Sequence, residues 1–164
     1  MSHNLLSQKT IIGVIGAGTA SEEGLAQAEV VGRLIAQRGG TLVNGGLGGI
    51  MEAASRGCQM AGGDVIGILP GDSSSAANPY VTLPIVTAMG HARNIIIAQT
   101  AQALIAIEGE YGTLSEIAIG LKLEKPVVLL GSWHQIEAGL RVNTPEQAVE
   151  IIFNMLKGDS DHAK

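Results

Sequence analysis

Ile11-Ile12-Gly13-Val14-Ile15 runs without a polar side chain into Gly16-Ala17-Gly18-Thr19, and a segment with helical periodicity follows at about 22–37. An apolar run without alternation is typical of a strand that is buried on both faces, as in a parallel sheet. A glycine turn that joins such a strand to a helix is the βα unit of a parallel sheet. The stretch therefore predicts an α/β fold.

The same alternation of strand and helix continues along the chain. Apolar runs predict strands at 11–15, 41–43, 65–69, 104–107 and 127–130, with a weaker one at 83–87. Helical periodicity predicts helices at about 22–37, 50–61, 92–102, 113–123 and 145–156. The series predicts one doubly wound, Rossmann-like α/β domain over residues 10–157, with right-handed crossovers and flexible ends at 1–9 and 158–164.

Composition excludes several classes of partner. The 164 residues include 23 Gly, and 46% are hydrophobic while only 15% are charged. This balance indicates one compact domain, and no apolar run approaches the length of a membrane span. The chain has a net charge of −5 and contains only one Trp, two Tyr and one Phe. It therefore lacks the basic and aromatic side chains that bind nucleic acid. We therefore expect neither a nucleic acid nor a membrane as a partner.

The number and spacing of the cysteine and histidine residues indicate where the protein is located and which cofactors it can hold. Cys58 is the only cysteine, which excludes an intrachain disulfide and a Cys-rich metal site. The four His residues lie far apart in sequence, without the spacing of metal ligands. The first residues lack the charged and apolar regions of a signal peptide. We expect a cytoplasmic protein that needs no metal and no resident cofactor.

Three glycine clusters fall at predicted carboxyl ends of strands, and each leads into a predicted helix. Free N–H groups at a helix N-terminus bind phosphate or carboxylate, and glycine allows the close approach that such a site needs. A tight turn explains any one cluster equally well, but three at one edge of a sheet favour a shared anion site. The predicted binding residues in these clusters are Gly16, Gly18, Thr19, Gly45, Gly46, Gly48, Gly49, Gly109, Tyr111, Gly112 and Thr113.

The glycine turns do not match three familiar motifs. The dinucleotide fingerprint needs a third glycine where Ser21 stands, and the second predicted strand ends at Asn44 without an acidic residue for a ribose. No lysine occurs between Lys9 and Lys122, which excludes a P-loop. No Gly-x-Ser-x-Gly elbow is present either. NAD binding is therefore disfavoured, and P-loop ATP hydrolysis and serine hydrolysis are excluded.

Arg93 is the only Lys or Arg between Arg56 and Lys122, and it opens a predicted helix that is otherwise mostly apolar. The helix dipole disfavours a positive charge at that end, so an anion is expected to offset it. A ligand phosphate and the carboxylate of Glu116 are the two candidates. A capping or interface salt bridge explains Arg93 about equally well.

Glu116 also has two explanations. Thr113-Leu114-Ser115-Glu116 fits the Ser/Thr-x-x-Glu capping box, and spacing alone favours that cap. If the same helix N-terminus holds a phosphate, Glu116 lies beside it. A carboxylate so placed could stabilise the positive charge that develops on ribose during N-glycosidic cleavage.

Two predicted helical segments, at 93–98 and 117–121, are apolar around most of their circumference. A helix that lies on a sheet with one face in water would be polar on that face. Such helices are either deeply buried in the monomer or packed against another subunit. In so small a chain the second explanation is favoured, and we predict a homodimer built on these helices.

Three segments together carry a resemblance to a known family. Val43-Asn44-Gly45-Gly46-Leu47-Gly48-Gly49-Ile50-Met51, Met89-Gly90-His91-Ala92-Arg93 and Gly109-Glu110-Tyr111-Gly112-Thr113-Leu114-Ser115-Glu116 resemble the LOG-like Rossmann proteins. That group includes cytokinin riboside 5'-monophosphate phosphoribohydrolases, proteins mislabelled as lysine decarboxylases, and small molybdenum cofactor carrier proteins. The resemblance covers about residues 11–130 and does not identify the member.

The resemblance implies roles for particular residues. Hydrolases of this group have the signature Pro-Gly-Gly-x-Gly-Thr-x-x-Glu and a catalytic Arg upstream, so Arg93 and Glu116 would be catalytic if the chain is a hydrolase. Met89 joins the implied ligand-binding residues. Glu108 replaces the Pro and Glu110 the second Gly of the signature, and a carboxylate at 110 beside a phosphate weighs against ordinary nucleotide hydrolysis.

The short chain and its Glu-x-Tyr-Gly-Thr variant resemble the cofactor-carrier branch more closely. Its members are homo-oligomers that hold a phosphorylated pterin carrying molybdenum. The resemblance implies a carrier-type binding protein for a phosphorylated small molecule, molybdenum cofactor or nucleotide, at the C-terminal edge of the sheet. One alternative is a nucleoside 5'-monophosphate phosphoribohydrolase that releases free base and ribose 5-phosphate. Another is a structural or regulatory dimer with a vestigial site.

Overall fold

Seven short segments of the chain extend side by side into one sheet. The computed structural model describes residues 8–161, with side chains to residue 158. The strands are β1 (Ile11–Gly16), β2 (Thr41–Asn44), β3 (Val65–Leu69), β4 (Leu83–Val86), β5 (Ala103–Ile107), β6 (Val127–Leu130) and β7 (Leu140–Val142). Their order is β4-β3-β2-β1-β5-β6-β7, and all neighbours are parallel. The predicted α/β, doubly wound fold class is confirmed.

Five helices cover the two faces of the sheet. They are α1 (Glu22–Gln37), α2 (Ile50–Met60), α3 (Arg93–Thr100), α4 (Tyr111–Lys122) and α5 (Pro145–Asp161). Two buried apolar clusters form, one with α1, α2 and α5 and the other with α3 and α4. Successive residues of β5 enter different clusters, as Leu104 and Ile105 do. Burial on both faces is the reason why the apolar runs show no alternation.

The chain changes direction across the sheet at β1. Strands β2, β3 and β4 extend to one side, and β5 then returns to pair with the other side of β1. Gly16 at the end of β1 lies opposite Ile107 at the end of β5. In doubly wound sheets, ligands bind in the crevice beyond the strand ends at such a switch point.

Differences from the sequence predictions lie mainly at boundaries. β4 confirms the weaker strand prediction, whereas β7 was not predicted. Helix α3 ends at Thr100 instead of 102, and α4 begins at Tyr111 instead of 113. Flexible ends at 1–9 and 158–164 stay a prediction, since residues 1–7 and 162–164 lie outside the described residues and α5 continues to Asp161.

Two glycines bring α1 and α2 into backbone contact. A Cβ at Gly32 would lie 2.8 Å from the carbonyl carbon of Ala54, and one at Gly57 would lie 2.8 Å from that of Glu29. No side chain fits between the helices at either position. Cys58, the residue after Gly57, lies in the apolar cluster that includes α1, α2 and α5. Burial raises the pKa of its thiol to about 11.

The ammonium group of Lys125 closes the carboxyl end of α3. Its Nζ donates hydrogen bonds to the carbonyl oxygens of Ala98, Gln99 and Ala101 at 2.7, 2.6 and 2.6 Å. A cation at this position satisfies orphan carbonyls and opposes the helix dipole.

We therefore expect Lys125→Met to lower the free energy of unfolding by about 2 kcal/mol, because three carbonyl groups lose a charged donor. Urea denaturation measures the change. Lys157→Met, on the exposed surface of α5, is the matched control and should cost less than about 0.5 kcal/mol. Equal losses in the two variants would show that Lys125 does not stabilise α3.

Candidate functional site

A cavity of about 200 Å³ opens at the switch point of the sheet. Its wall is formed by the turns after β1 and β2, the start of α3 and the start of α4. The lining residues are Ile15, Gly16, Ala17, Gly45, Met51, His91, Arg93, Asn94, Glu110, Gly112, Thr113 and Glu116. The cavity therefore brings together parts of all three predicted glycine clusters.

Arg93 presents a buried positive charge to this cavity. The residue is only 8% exposed, its Nη1 donates to Oδ1 of Asn94, and its buried Nε has no hydrogen-bond partner. Its Nη2 lies against Gly45, where a Cβ would be 2.6 Å away, so the guanidinium fits only beside a glycine. Neither of the two ion pairs within residues 8–158 involves Arg93. A buried cation without a paired anion indicates a site that an anionic ligand completes.

Asn94 connects this cation to helix α4. Its Oδ1 accepts the hydrogen bond from Arg93, and its Nδ2 donates to Oγ of Ser115 at 3.1 Å and to the carbonyl oxygen of Gly112 at 3.4 Å. One amide side chain thus holds both the guanidinium and the first turn of α4. The distance between the charge and the helix N-terminus is thereby fixed.

The N-terminus of α4 has no side-chain cap. Its N-cap residue is Glu110, whose side chain accepts no capping hydrogen bond. The capping box that spacing favoured is wrong, because the helix begins at Tyr111 and Thr113 is already its third residue. Glu116 consequently lies a full turn inside the helix and cannot reach the N-cap. The first N–H groups of α4 stay available to an anion.

Burial controls the charge of Glu116. The residue is 6% exposed, and desolvation raises the pKa of its carboxyl group to about 8, against an opposing effect of Arg93. Desolvation likewise lowers the pKa of Arg93, although the guanidinium keeps its charge. At neutral pH Arg93 therefore carries its charge, whereas the carboxyl group of Glu116 is largely uncharged.

The raised pKa makes stability depend on pH. Between about pH 5 and 8 the folded chain keeps a proton that unfolded Glu116 releases, so the free energy of unfolding falls as pH rises through this range. The limiting slope is about 1.4 kcal/mol per pH unit. Urea titrations at pH 5.5, 6.5, 7.5 and 8.5 measure the free energy of unfolding of wild type and of Glu116→Gln. The difference between their slopes isolates Glu116, because His91 and Glu110 at the cavity are common to both proteins. Parallel slopes in the two proteins would disprove the raised pKa.

The sequence of this chain matches the model of a known protein family. The model described as the SLOG cluster4 family matches residues 9–156. The chain belongs to the SLOG cluster4 family. This result confirms the LOG-like resemblance that the glycine motifs carry.

Relatives of this SLOG cluster4 protein have different descriptions. An uncharacterized protein of Archaeoglobus fulgidus is 51% identical over 139 residues, which are 84% of this chain and 91% of the relative. The structure of the molybdenum cofactor binding protein from Rippkaea orientalis has a TM-score of 0.87 and 36% identity, covering 92% of this chain and 99% of that one. A probable cytokinin riboside 5'-monophosphate phosphoribohydrolase of Oryza sativa subsp. japonica is 37% identical over 90 residues, which are 53% of this chain and 37% of the rice protein.

The predicted site residues of this SLOG cluster4 protein divide into two groups. Those that line the cavity are Gly16, Gly45, Arg93, Gly112, Thr113 and Glu116. Those outside its lining are Gly18, Thr19, Gly46, Gly48, Gly49, Met89, Gly109 and Tyr111. Tyr111 is 82% exposed next to the lining residue Gly112, and its ring centroid lies 5.8 Å from that of Trp133.

Several glycines outside the cavity have a structural reason. Gly46 and Gly49 have positive φ angles of 72° and 64°, and the N–H of Gly46 donates to Oδ1 of Asn44. Gly109 has a φ of 118°, and a Cβ there would lie 2.6 Å from Cβ of Thr113. These residues shape the turns that carry the lining residues.

Six lining residues were not predicted from the sequence as site residues: Ile15, Ala17, Met51, His91, Asn94 and Glu110. Glu110 was noted only as a departure from the hydrolase pattern, and Asn94 was not singled out as a site residue. Their adjacency to the predicted site residues Arg93 and Tyr111 was the available signal. Met51 carried no such signal, since only the fold brings it to the cavity.

Proposed function

We propose that this protein is a carrier-type binding protein for a phosphorylated small molecule, either the molybdenum cofactor or a nucleotide. The observation that carries the proposal is the buried guanidinium of Arg93, which forms no salt bridge with any residue that the structure describes, beside the uncapped N-terminus of α4. A phosphate between them would accept hydrogen bonds from the N–H groups of residues 111–113 and receive the charge of Arg93. Glu116, uncharged at neutral pH, does not oppose such a ligand.

The cofactor is supported by the likeness to the molybdenum cofactor binding protein of Rippkaea orientalis, which extends over 92% of this chain. The cofactor would be transported cargo, held by its phosphate. Glu110 at the cavity wall also suits a pterin or a guanine, whose ring N–H and amino groups donate to carboxylate oxygens. The residues present therefore fit a phosphorylated heterocycle.

A nucleoside 5'-monophosphate phosphoribohydrolase is the second candidate. Two observations support the hydrolase. Arg93 and Glu116 line one cavity, and part of the chain is similar to the rice protein. The raised pKa of Glu116 favours binding over hydrolysis, since an uncharged carboxyl group cannot stabilise a ribosyl cation by its charge. Glu110 at the cavity is a further departure from the hydrolase pattern.

The test incubates the purified protein separately with molybdenum cofactor and with a panel of nucleoside 5'-monophosphates that includes AMP. Ligand retained after desalting, the melting temperature and base released are measured, with Glu116→Gln in parallel. We expect a ligand-dependent rise in melting temperature without base release. Base release by wild type and not by the variant would establish the hydrolase. Absence of any ligand effect would leave a structural or regulatory dimer.

We also propose that the protein acts as a cytoplasmic homodimer. Helices α3 and α4 bury Ile97 and Ile117 against the sheet, yet Ile95 on α3 stays exposed together with Met89 and Val86. These exposed apolar side chains support a subunit contact. Light scattering after size exclusion tests the dimer, and Ile95→Glu should shift it to monomer.

A further inference from the structure

Glu108 at the end of β5 turns its side chain away from the cavity and toward helix α1. Its Oε2 accepts a hydrogen bond from the backbone N–H of Ser21 at 3.1 Å, and its Oε1 accepts one from Oγ of Ser21. Ser21 is the N-cap of α1, and its Oγ accepts the N–H of Gly24 at 3.0 Å. The carboxylate is thus joined to the N-terminal cap of α1.

The chain leaves space for this carboxylate. Gly24 is buried in the first turn of α1, and a Cβ there would lie 2.6 Å from the carboxyl carbon of Glu108. Any larger residue at 24 would push the carboxylate away from Ser21. Glycine costs stability inside a helix, so its presence here is explained by the group that it accommodates.

The backbone of Glu108 is held in an unfavourable conformation. Its φ is 51°, in the left-handed region that residues with a side chain seldom adopt. Its N–H donates to the carbonyl oxygen of Leu130 at 3.4 Å, and its own carbonyl oxygen accepts from Oγ of Ser132. Such a conformation persists only where surrounding contacts hold it.

The position of the carboxylate has a consequence for ligands. In doubly wound sheets the N-terminus of the helix after the first strand receives the phosphates of a bound dinucleotide. The cavity reaches this turn at Gly16 and Ala17. Beyond that point the N-cap of α1 is already bound by the carboxylate of Glu108, whereas Glu110 at the N-cap of α4 makes no capping hydrogen bond.

We propose that Glu108 is a specificity-determining residue that limits this protein to ligands with a single phosphate group. The proposal rests on the phosphate site proposed above. A phosphomonoester occupies the N-terminus of α4 beside Arg93 without approaching Glu108. A second phosphate that extends toward α1 meets the carboxylate of Glu108 at the N-cap and is repelled.

The test compares AMP with ADP, and inorganic phosphate with pyrophosphate, by calorimetric titration of wild type, Glu108→Gln and Glu108→Gly. Glu108→Gln removes the charge and keeps the shape, while Glu108→Gly also removes the strained side chain. We expect wild type to bind AMP at least tenfold more tightly than ADP. Both variants should bind ADP at least tenfold more tightly than wild type does, with AMP affinity changed less than threefold.

Two other results have separate meanings. If wild type binds AMP and phosphate but both variants keep the wild-type preference over ADP and pyrophosphate, the role of Glu108 is wrong and the phosphate site stands. If wild type binds none of the four probes, the phosphate site itself is wrong and the role of Glu108 falls with it. Circular dichroism confirms that each variant is folded before titration.

Discussion

We expect the Arg93→Met variant to bind phosphate much more weakly than wild type and to be at least as stable as wild type without ligand. The guanidinium is buried, its Nε has no partner, and its positive charge lies at the N-terminal end of α3. Burying a charge without an anion costs free energy, which an apolar side chain of similar length avoids. The loss of binding should be about a hundredfold or more, since a charged donor worth about 3 kcal/mol is removed from the ligand.

The opposite signs of the two effects make the experiment decisive. Without Arg93 the carboxyl group of Glu116 stays protonated at neutral pH, so the variant does not acquire an unpaired buried anion. Melting temperatures with and without AMP, supported by calorimetric titration, measure stability and binding together.

Arg56→Met is the matched control. Arg56 forms a partly exposed ion pair with Glu29 at 2.7 Å, and neither residue lines the cavity. Its loss should cost less than about 1 kcal/mol and leave binding unchanged. Binding retained by Arg93→Met would overturn the proposed site, and an unfolded variant would show that Arg93 has a structural role.

Gly57→Ala is expected to have the largest effect on stability. The added Cβ would overlap the carbonyl group of Glu29, a backbone atom of α1 that cannot rotate away. The two helices must separate, and the apolar cluster that they share loses contact along its length. We expect a loss of at least about 3 kcal/mol in the free energy of unfolding, measured by urea denaturation.

Gly158→Ala provides the control for the substitution itself. Gly158 lies in α5 with no atom near the position of an added Cβ. Alanine is the better helix former, so this variant should be unchanged or up to about 1 kcal/mol more stable. A Gly57→Ala variant of wild-type stability would mean that α1 and α2 are not in backbone contact.

The sequence predicted the central strands well, because burial on both faces leaves continuous apolar runs. It did not predict β7, whose three residues include the exposed Leu140 and the exposed, charged Arg141. An edge strand so short has no pattern of its own, and its pairing with β6 defines it. Long-range contacts also explain the early end of α3, where Lys125 binds the last carbonyl groups.

The candidate site was predictable only in part. Charge pattern and family resemblance singled out Arg93 and Glu116, and the structure places both at one cavity. The capping box was wrong since local spacing cannot reveal where a helix begins when a glycine turn leads into it. Asn94 and Glu108 act through partners that are 21 and 87 residues away in sequence, so their contacts follow from the topology alone.

The buried thiol of Cys58 allows local opening of this protein to be measured by alkylation. Only a thiolate reacts with alkylating reagents, and the buried thiol with a pKa of about 11 stays protonated in the closed chain. Labelling then requires local opening around α2, so its rate measures how often that part of the molecule opens. With a single cysteine in the chain, one mass shift follows this motion in native buffer, ligand present or absent.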